Sequence, residues 1–314
     1  MTQLIRYLKN FIKEDFNFGY YLSVLISLII SIFFNYFYDF ENSVLRKHFG
    51  EFKQIFYYLI FFAIPYFFSL FVCAYFKKEY TFLKSIKNLG IIFLLLFVLS
   101  FNASSYSLFQ IGTRIPIPLD LSRFFYKCLV NITYSINFFI PLLFLRKTIN
   151  RELENFYGLT TKSVDLKLFY PLLILPVILT GIASFNKDFL NMYPTYDAGN
   201  ANIYWHTPPF ITAIIYEMLY GLQFVVIELF FRGFLVIGMI KYLGKPAILS
   251  MVCVYTFWHF GKPVGETISS VFGGYILGVL SYSTRNIWGG IILHVGTAWS
   301  MEASAFFQKT ILSL

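Results

Sequence analysis

Charge is scarce in this chain. Of 314 residues only 13% are Asp, Glu, Lys or Arg, about half the share of a typical soluble chain, and so little polar surface cannot solvate a globule of this size. Low charge beside 58% hydrophobic residues also excludes intrinsic disorder, which needs low hydrophobicity and high net charge. Cysteine is nearly missing. Cys73, Cys128 and Cys253 all lie inside apolar runs, with no CxxC pair and no even count, so no disulfide framework is expected and all three read as small buried side chains. Glycine and proline, 19 and 11, are scattered without period, which excludes collagen and other repeats. What is plentiful is apolar and aromatic: 40 Phe, 24 Tyr and a mean hydropathy of +0.66. Lipid must be the solvent for much of the chain.

Nine charge-poor runs are long enough, or nearly so, to cross hydrocarbon, for which about 20 residues are needed: 19–38, 55–76, 89–109, 128–145, 168–185, 210–240, 246–260, 267–283 and 287–306. Arg6, Lys9 and Lys13 ahead of the first run imitate a signal peptide, but the run is too long and no small-residue cleavage site follows. It reads as an uncleaved first span. The 210–240 run would measure roughly 46 Å as one helix, more than a bilayer core, so it should tilt, protrude or bend near Gly221. The fold class predicted is all-α, a polytopic transmembrane helix bundle of about eight or nine spans. Residues 1–187 form N-terminal helices of undiagnosed role and 205–306 a C-terminal core.

A formal charge of +9 would suggest nucleic acid in a soluble domain. Here membrane orientation explains it, because the cations sit in short segments between apolar runs. With the N-terminus inside, fifteen of the 25 Lys and Arg fall in inner segments and nine in outer ones, while Arg232 is intramembrane. That bias predicts a multi-pass cell-membrane protein with a cytoplasmic N-terminus, the lipid bilayer as partner and no nucleic acid.

Ionisable residues in hydrocarbon are costly, so each is a functional hypothesis by default. The first five spans contain none, whereas the last four hold Glu217, Glu228, Arg232, His259 and His294. Chemistry is therefore expected in residues 210–306. A carrier built from inverted repeats would show matching interrupted segments in both halves, and none is visible. Glu228 and Arg232, spaced i,i+4, share one helix face and form either a structural lock or part of a site. Two imidazoles on neighbouring spans and an acid on a third define a three-helix polar site, with no HExxH pattern of a soluble zinc protease.

In this order the residues resemble the CPBP (CAAX protease and bacteriocin-processing) family of intramembrane proteases, which includes the type II CAAX prenyl endopeptidases. The first motif, EExxxR followed by Gly, is matched by Ile227, Glu228, Arg232 and Gly233. FxxxH is matched by Tyr255 and His259, and HxxxN by His294 and Ala298. The resemblance covers roughly residues 205–306 and implies a metalloprotease-type hydrolase acting on a peptide or protein substrate. It implies catalytic roles for Glu228, Arg232, His259 and His294, with Glu228 and His259 preparing water and His294 helping to hold the oxyanion. It also implies a divalent metal such as zinc, with Glu228, His259 and His294 as candidate ligands. Two positions depart from the family: Ile227 stands where it carries its first Glu, and Ala298 where a polar side chain is often found. Those departures leave a second reading open, a catalytically inactive relative that binds a membrane partner or confers immunity to a peptide toxin.

Two auxiliary candidates follow His259. Pro263 and Gly265 break the helix, so that Glu266 is either folded back toward the site or placed at the next helix start, and Lys262 pairs with it or with a substrate carboxylate, or is solvated. Asn286 and Trp288 are hydrogen-bond donors or an interfacial anchor. Glu217, about 16 Å up the axis from Glu228, lines an access path or sits at the interface. His48, His206 and Glu302 are assigned to the background, and Gly273, Gly274 and Gly278 to close helix packing.

Overall fold

The computed structural model describes residues 2–162, 167 and 169–310. Among them there is no strand. Ten principal helices follow in order: α1 Thr2–Asp15, α2 Phe18–Tyr38, α3 Lys53–Lys77, α4 Ile86–Ala103, α5 Leu119–Thr148, α6 Ile174–Ala183, α7 Pro209–Glu228, α8 Ala247–Trp258, α9 Val264–Thr284 and α10 Trp288–Thr310. Local chemistry sets their ends. Asn17 caps α2 by accepting from the Tyr20 amide at 3.0 Å, Ser85 caps α4, and Pro208–Pro209 and Pro263 precede or open α7 and α9, where a missing N–H costs nothing. Asp120 at the start of α5 and Arg146 and Lys147 at its end complement the helix dipole.

Six helical stretches among the described residues are long and apolar enough to cross a membrane, and Tyr170–Ala183 and Ala247–Trp258 are shorter apolar helices. Their burial differs. Only 22% of the α2 window is enclosed, with Ile26, Ile29, Ile30 and Phe33 facing outward, against 78% for Pro209–Leu243. The stretch that carries Glu228 and Arg232 is thus the one most surrounded by protein. α8 lies beside it. Every residue from Ala247 to Thr256 is buried, and α8 packs on α3, α9 and α2. Gly274 and Gly278 make this approach possible, since a Cβ there would fall 3.1 Å from Tyr255 Cδ1 and 2.9 Å from Met251 Cε, whereas Gly273 faces open space.

Several boundaries differ from the sequence reading. The 89–109 run breaks at Ser104, where extended backbone precedes a short helix, Tyr106–Gly112. The expected 168–185 span begins on Leu168, outside the described residues. The α-helix runs unbroken through Gly221, which receives Trp299, whose Cζ2 would lie 2.9 Å from an added Cβ. The change of pitch comes later, in a wide π turn at Leu229–Phe234 followed by a 3-10 turn at Ile237–Met239. Here Phe230, Phe231 and Phe234 are wholly buried, and Gly233 is pressed on Tyr157, whose carbonyl oxygen lies 2.8 Å from the position of a Cβ. The N-terminal 18 residues hold a further helix. α1 buries Leu4, Phe11 and Asp15 against the bundle, with Phe11 edge-on to Tyr275 and Tyr282 of α9.

Segments that the alternation of spans assigns to one side do meet there. Lys77 pairs with Asp15 at 2.5 Å, Lys245 with Glu14 at 2.9 Å and Lys241 with Glu152 at 2.9 Å. Beneath this rim Asn150 joins the halves of the chain: its Nδ2 donates to the Gly238 carbonyl at 2.8 Å and its Oδ1 accepts from the Tyr157 hydroxyl at 3.1 Å. Asn150→Ala leaves both partners unpaired in a buried place, at about 1–3 kcal/mol each. A fall of several degrees in the thermal midpoint of the detergent-solubilised protein is expected; an unchanged midpoint would show that the clamp carries no stability.

Candidate active site

Three helix ends build the site. Glu228 is the last residue of α7, Arg232 lies within the wide turn that follows, and both are fully buried. His294 is six residues into α10, about 9 Å from its start, and His259 follows the last residue of α8, about 18 Å from the start of that helix. Both of those helices start on the rim that holds Lys241, Lys245 and Arg285, so the two imidazoles reach into the interior from the same side.

Glu228 Oε1 is the meeting point. It accepts from Arg232 Nη1 at 2.8 Å and from His294 Nδ1 at 2.8 Å. An ionised carboxylate only accepts, so Nδ1 carries a proton, and in the neutral form of the ring the lone pair is on Nε2. Gly290, one turn before His294, makes room for the acid, because a Cβ there would overlap Glu228 Oε2. That oxygen has no partner.

Tyr255 joins the remaining groups. Its ring lies edge-on to His259, with centroids 4.5 Å apart, and 6.2 Å from the His294 ring. The Arg232 guanidinium stands 4.1 Å over it, and its hydroxyl is 3.5 Å from His294 Nε2. His259 Nδ1 donates to the Tyr255 carbonyl at 2.7 Å, since a carbonyl can only accept, and this leaves the second imidazole with a bare Nε2 too. Arg232 Nε and Nη2 have no hydrogen-bond partner. Cation, carboxylate, two imidazoles and a phenol are thereby gathered around one aromatic ring. Sequence reading noted Tyr255 only as a replacement for Phe; its hydroxyl is the polar group that reading missed.

The turn bearing His259 is braced by α9 and by the first span. Thr267 Oγ1 donates to the His259 carbonyl at 2.6 Å, Asn35 Nδ2 to that of Phe260 at 3.2 Å and the Tyr36 hydroxyl to that of Lys262 at 2.6 Å. Glu266 lies in the first turn of α9, where its Oε2 accepts from Tyr193 at 2.8 Å; Lys262 Nζ donates to the same hydroxyl at 3.4 Å. Both therefore bond to the loop before α7, and neither is hydrogen-bonded to an imidazole. Asn286 caps α10 through the Trp288 amide at 2.8 Å and donates to the Thr160 carbonyl at 2.5 Å, so it donates nothing to the site. Glu302 is no background residue. It is buried and clamps the same loop, accepting from the Thr195 amide at 2.8 Å and hydroxyl at 2.7 Å and from the Tyr196 amide at 3.2 Å. Its only signal in the sequence was an acid late in an apolar helix. His48 stacks on Tyr57, and Ile227 and Ala298 are packed in apolar clusters.

A metal finds few donors. Among the described residues no three His, Cys, Asp or Glu side chains are grouped so as to hold an ion. Glu228 Oε1 and His294 Nδ1 occupy each other, which leaves two bare Nε2 atoms and one enclosed carboxylate oxygen. Two imidazoles and a carboxylate are the donor types of a catalytic zinc site, but as placed here they are not grouped as such a site requires.

Fold and site together define an all-helical membrane protein with a buried Glu–Arg–His cluster. The family model for Type II CAAX prenyl endopeptidase Rce1-like matches residues 207–300, a segment that contains Glu228, Arg232, Tyr255, His259 and His294. The chain is similar to that family over this segment. No curated protein and no solved structure matches it.

The crowding at Gly290 gives a direct test. Gly290→Ala must displace a carboxylate already held by two donors, and overpacking of this kind costs about 1–3 kcal/mol. Gly181→Ala on α6, where nothing lies within 4 Å, should be neutral. Equal thermal midpoints for both variants would contradict the close approach of α10 to Glu228.

Proposed function

We propose that the chain is an intramembrane endopeptidase in which Glu228 and His294 act as a carboxylate–histidine dyad. The observation that carries the reading is the 2.8 Å hydrogen bond from His294 Nδ1 to Glu228 Oε1, which aims a basic Nε2 away from the acid. His294 Nε2 removes a proton from water as its oxygen attacks the peptide carbonyl. Glu228, anchored by Arg232, stabilises the imidazolium, which returns the proton to the leaving nitrogen as the C–N bond breaks. The bare Nε2 of His259 orients the same water. The Tyr255 hydroxyl, 3.5 Å from His294 Nε2, donates to the oxyanion and supplies the polar group that Ala298 does not.

These roles differ from those implied by the resemblance, where Glu228 and His259 prepare water and His294 holds the oxyanion. The difference has a physical reason. With Ile227 in place of the first Glu, the remaining acid is a residue further along the helix, about 100° around it, and it meets an imidazole instead of the water. The family-level match over residues 207–300 supports the peptidase class. A second reading, an inactive relative that binds a membrane partner or gives immunity to a peptide toxin, is favoured by the complete burial of Glu228 and Arg232, which also suits a structural lock.

Removing the carboxylate outright leaves Arg232 buried without its ion pair, at about 3–5 kcal/mol. Glu228→Gln is the better probe. In detergent, with peptide cleavage followed by mass spectrometry, Glu228→Gln and His294→Ala should lower the rate by on the order of 10² to 10⁴ and Tyr255→Phe by on the order of 10² to 10³. His259→Ala should lose cleavage while keeping its elution volume. Undiminished cleavage by Glu228→Gln and His294→Ala together would remove the dyad, and no cleavage by the unsubstituted chain would favour the partner-binding reading.

A further inference from the structure

The far end of α7 carries polar groups that the dyad does not use. Tyr216, Tyr220 and Phe224 recur every four residues and so form one row on the helix. Their rings touch in sequence, with centroids 5.6 and 4.9 Å apart, and the row ends on His294, 4.6 Å from Phe224. At the other end Tyr196 of the preceding loop meets Tyr216 at 5.5 Å. The row thus connects the surface loop to the imidazole.

Its upper part is acidic. Glu217, Glu266 and Glu302 surround it, and none of the three takes part in an ion pair among the described residues. Glu302 and Glu266 are bound to loop residues, as described above, whereas Glu217 Oε2 is enclosed without a partner. Tyr220 is 5% exposed, and its hydroxyl, near Glu302, Glu266 and Thr195, makes no hydrogen bond of good geometry. Enclosed polar atoms in native proteins are nearly always satisfied, by protein, water or ligand. Idle oxygens among carboxylates and aromatic faces call for a group that is positive, rich in N–H donors and comfortable on a ring. Lys262 already stands 5.5 Å over the Tyr193 ring at this rim, one cation among three acids.

We propose that this row is a substrate subsite that takes a Lys or Arg side chain of the peptide. The assignment rests on the peptidase reading. Tyr220 and Glu217 lie about 12 and 16 Å along the helix from Glu228, which an extended peptide spans in roughly four or five residues. The basic residue therefore sits that far from the bond that is cut.

The test uses two fluorescein-labelled decapeptides that differ only in Lys or norleucine at the fifth position, bound to the full-length Glu228→Gln protein in detergent. The Lys peptide should bind at least tenfold more tightly. Adding the near-isosteric Glu217→Gln and Tyr220→Phe should shrink that preference below twofold while the elution volume stays the same. Equal binding of the two peptides, or a preference that survives both changes, overturns the subsite. Water alone filling the row would give the first of these results. Failure of the peptidase reading would show separately, as no cleavage of either peptide by the unsubstituted protein while the binding preference persists.

Discussion

One carboxylate oxygen, taken out of water and shared by two donors, constrains the rest of this protein. Glu228 Oε1 receives Arg232 from its own helix and His294 from another. Deep burial of a charge is tolerated only when it is paired and hydrogen-bonded, so α7 and α10 cannot separate or rotate without stranding an ion. Gly290 is the steric counterpart of that bond, because any side chain there would occupy the place of the acid. The wide turn after Glu228 belongs to the same constraint: it carries Arg232 while packing three phenylalanines into the core, and such turns are frequent at functional sites.

The N-terminal half, silent in the sequence, contributes supports. Asn35 and Tyr36 of α2 hold the carbonyls of the turn that carries His259, and Asn150 and Tyr157 hold the segment after Arg232. Each of these side chains satisfies a backbone or side-chain group that has no water to turn to. Opposite them, Glu302 and Glu266 fasten the loop ahead of α7. The dyad is therefore set between two braces, one made by early helices and one by a loop.

Much of this was legible in the residues. Scarce charge and long apolar runs gave a helical membrane bundle, and the alternation of spans gave two polar rims at which the right segments meet. The rarity of ionisable residues in hydrocarbon singled out Glu228, Arg232, His259 and His294, which the structure brings together around Tyr255. What stayed hidden depends on direction and distance, which spacing does not encode. Nothing in the sequence said that the Glu228 carboxylate faces an imidazole, that Tyr255 presents its hydroxyl to His294, or that Glu302 clasps a loop more than a hundred residues earlier. Where Glu266 points stayed open for the same reason. The break at Pro263 was visible, but only coordinates show that the acid turns to Tyr193. The amphipathic α1 was overlooked because its charges resembled the flank of a span.

The central claim is that Glu228 fixes the proton of His294 on Nδ1 and leaves Nε2 basic. Nitrogen-15 NMR of histidine-labelled protein in lipid, with resonances assigned through His294→Ala, reads this without any substrate. The account predicts a protonated Nδ1 and a bare Nε2 on His294, with the tautomer population changed by Glu228→Gln. A proton found on Nε2, or a His294 spectrum indifferent to Glu228→Gln, would contradict it.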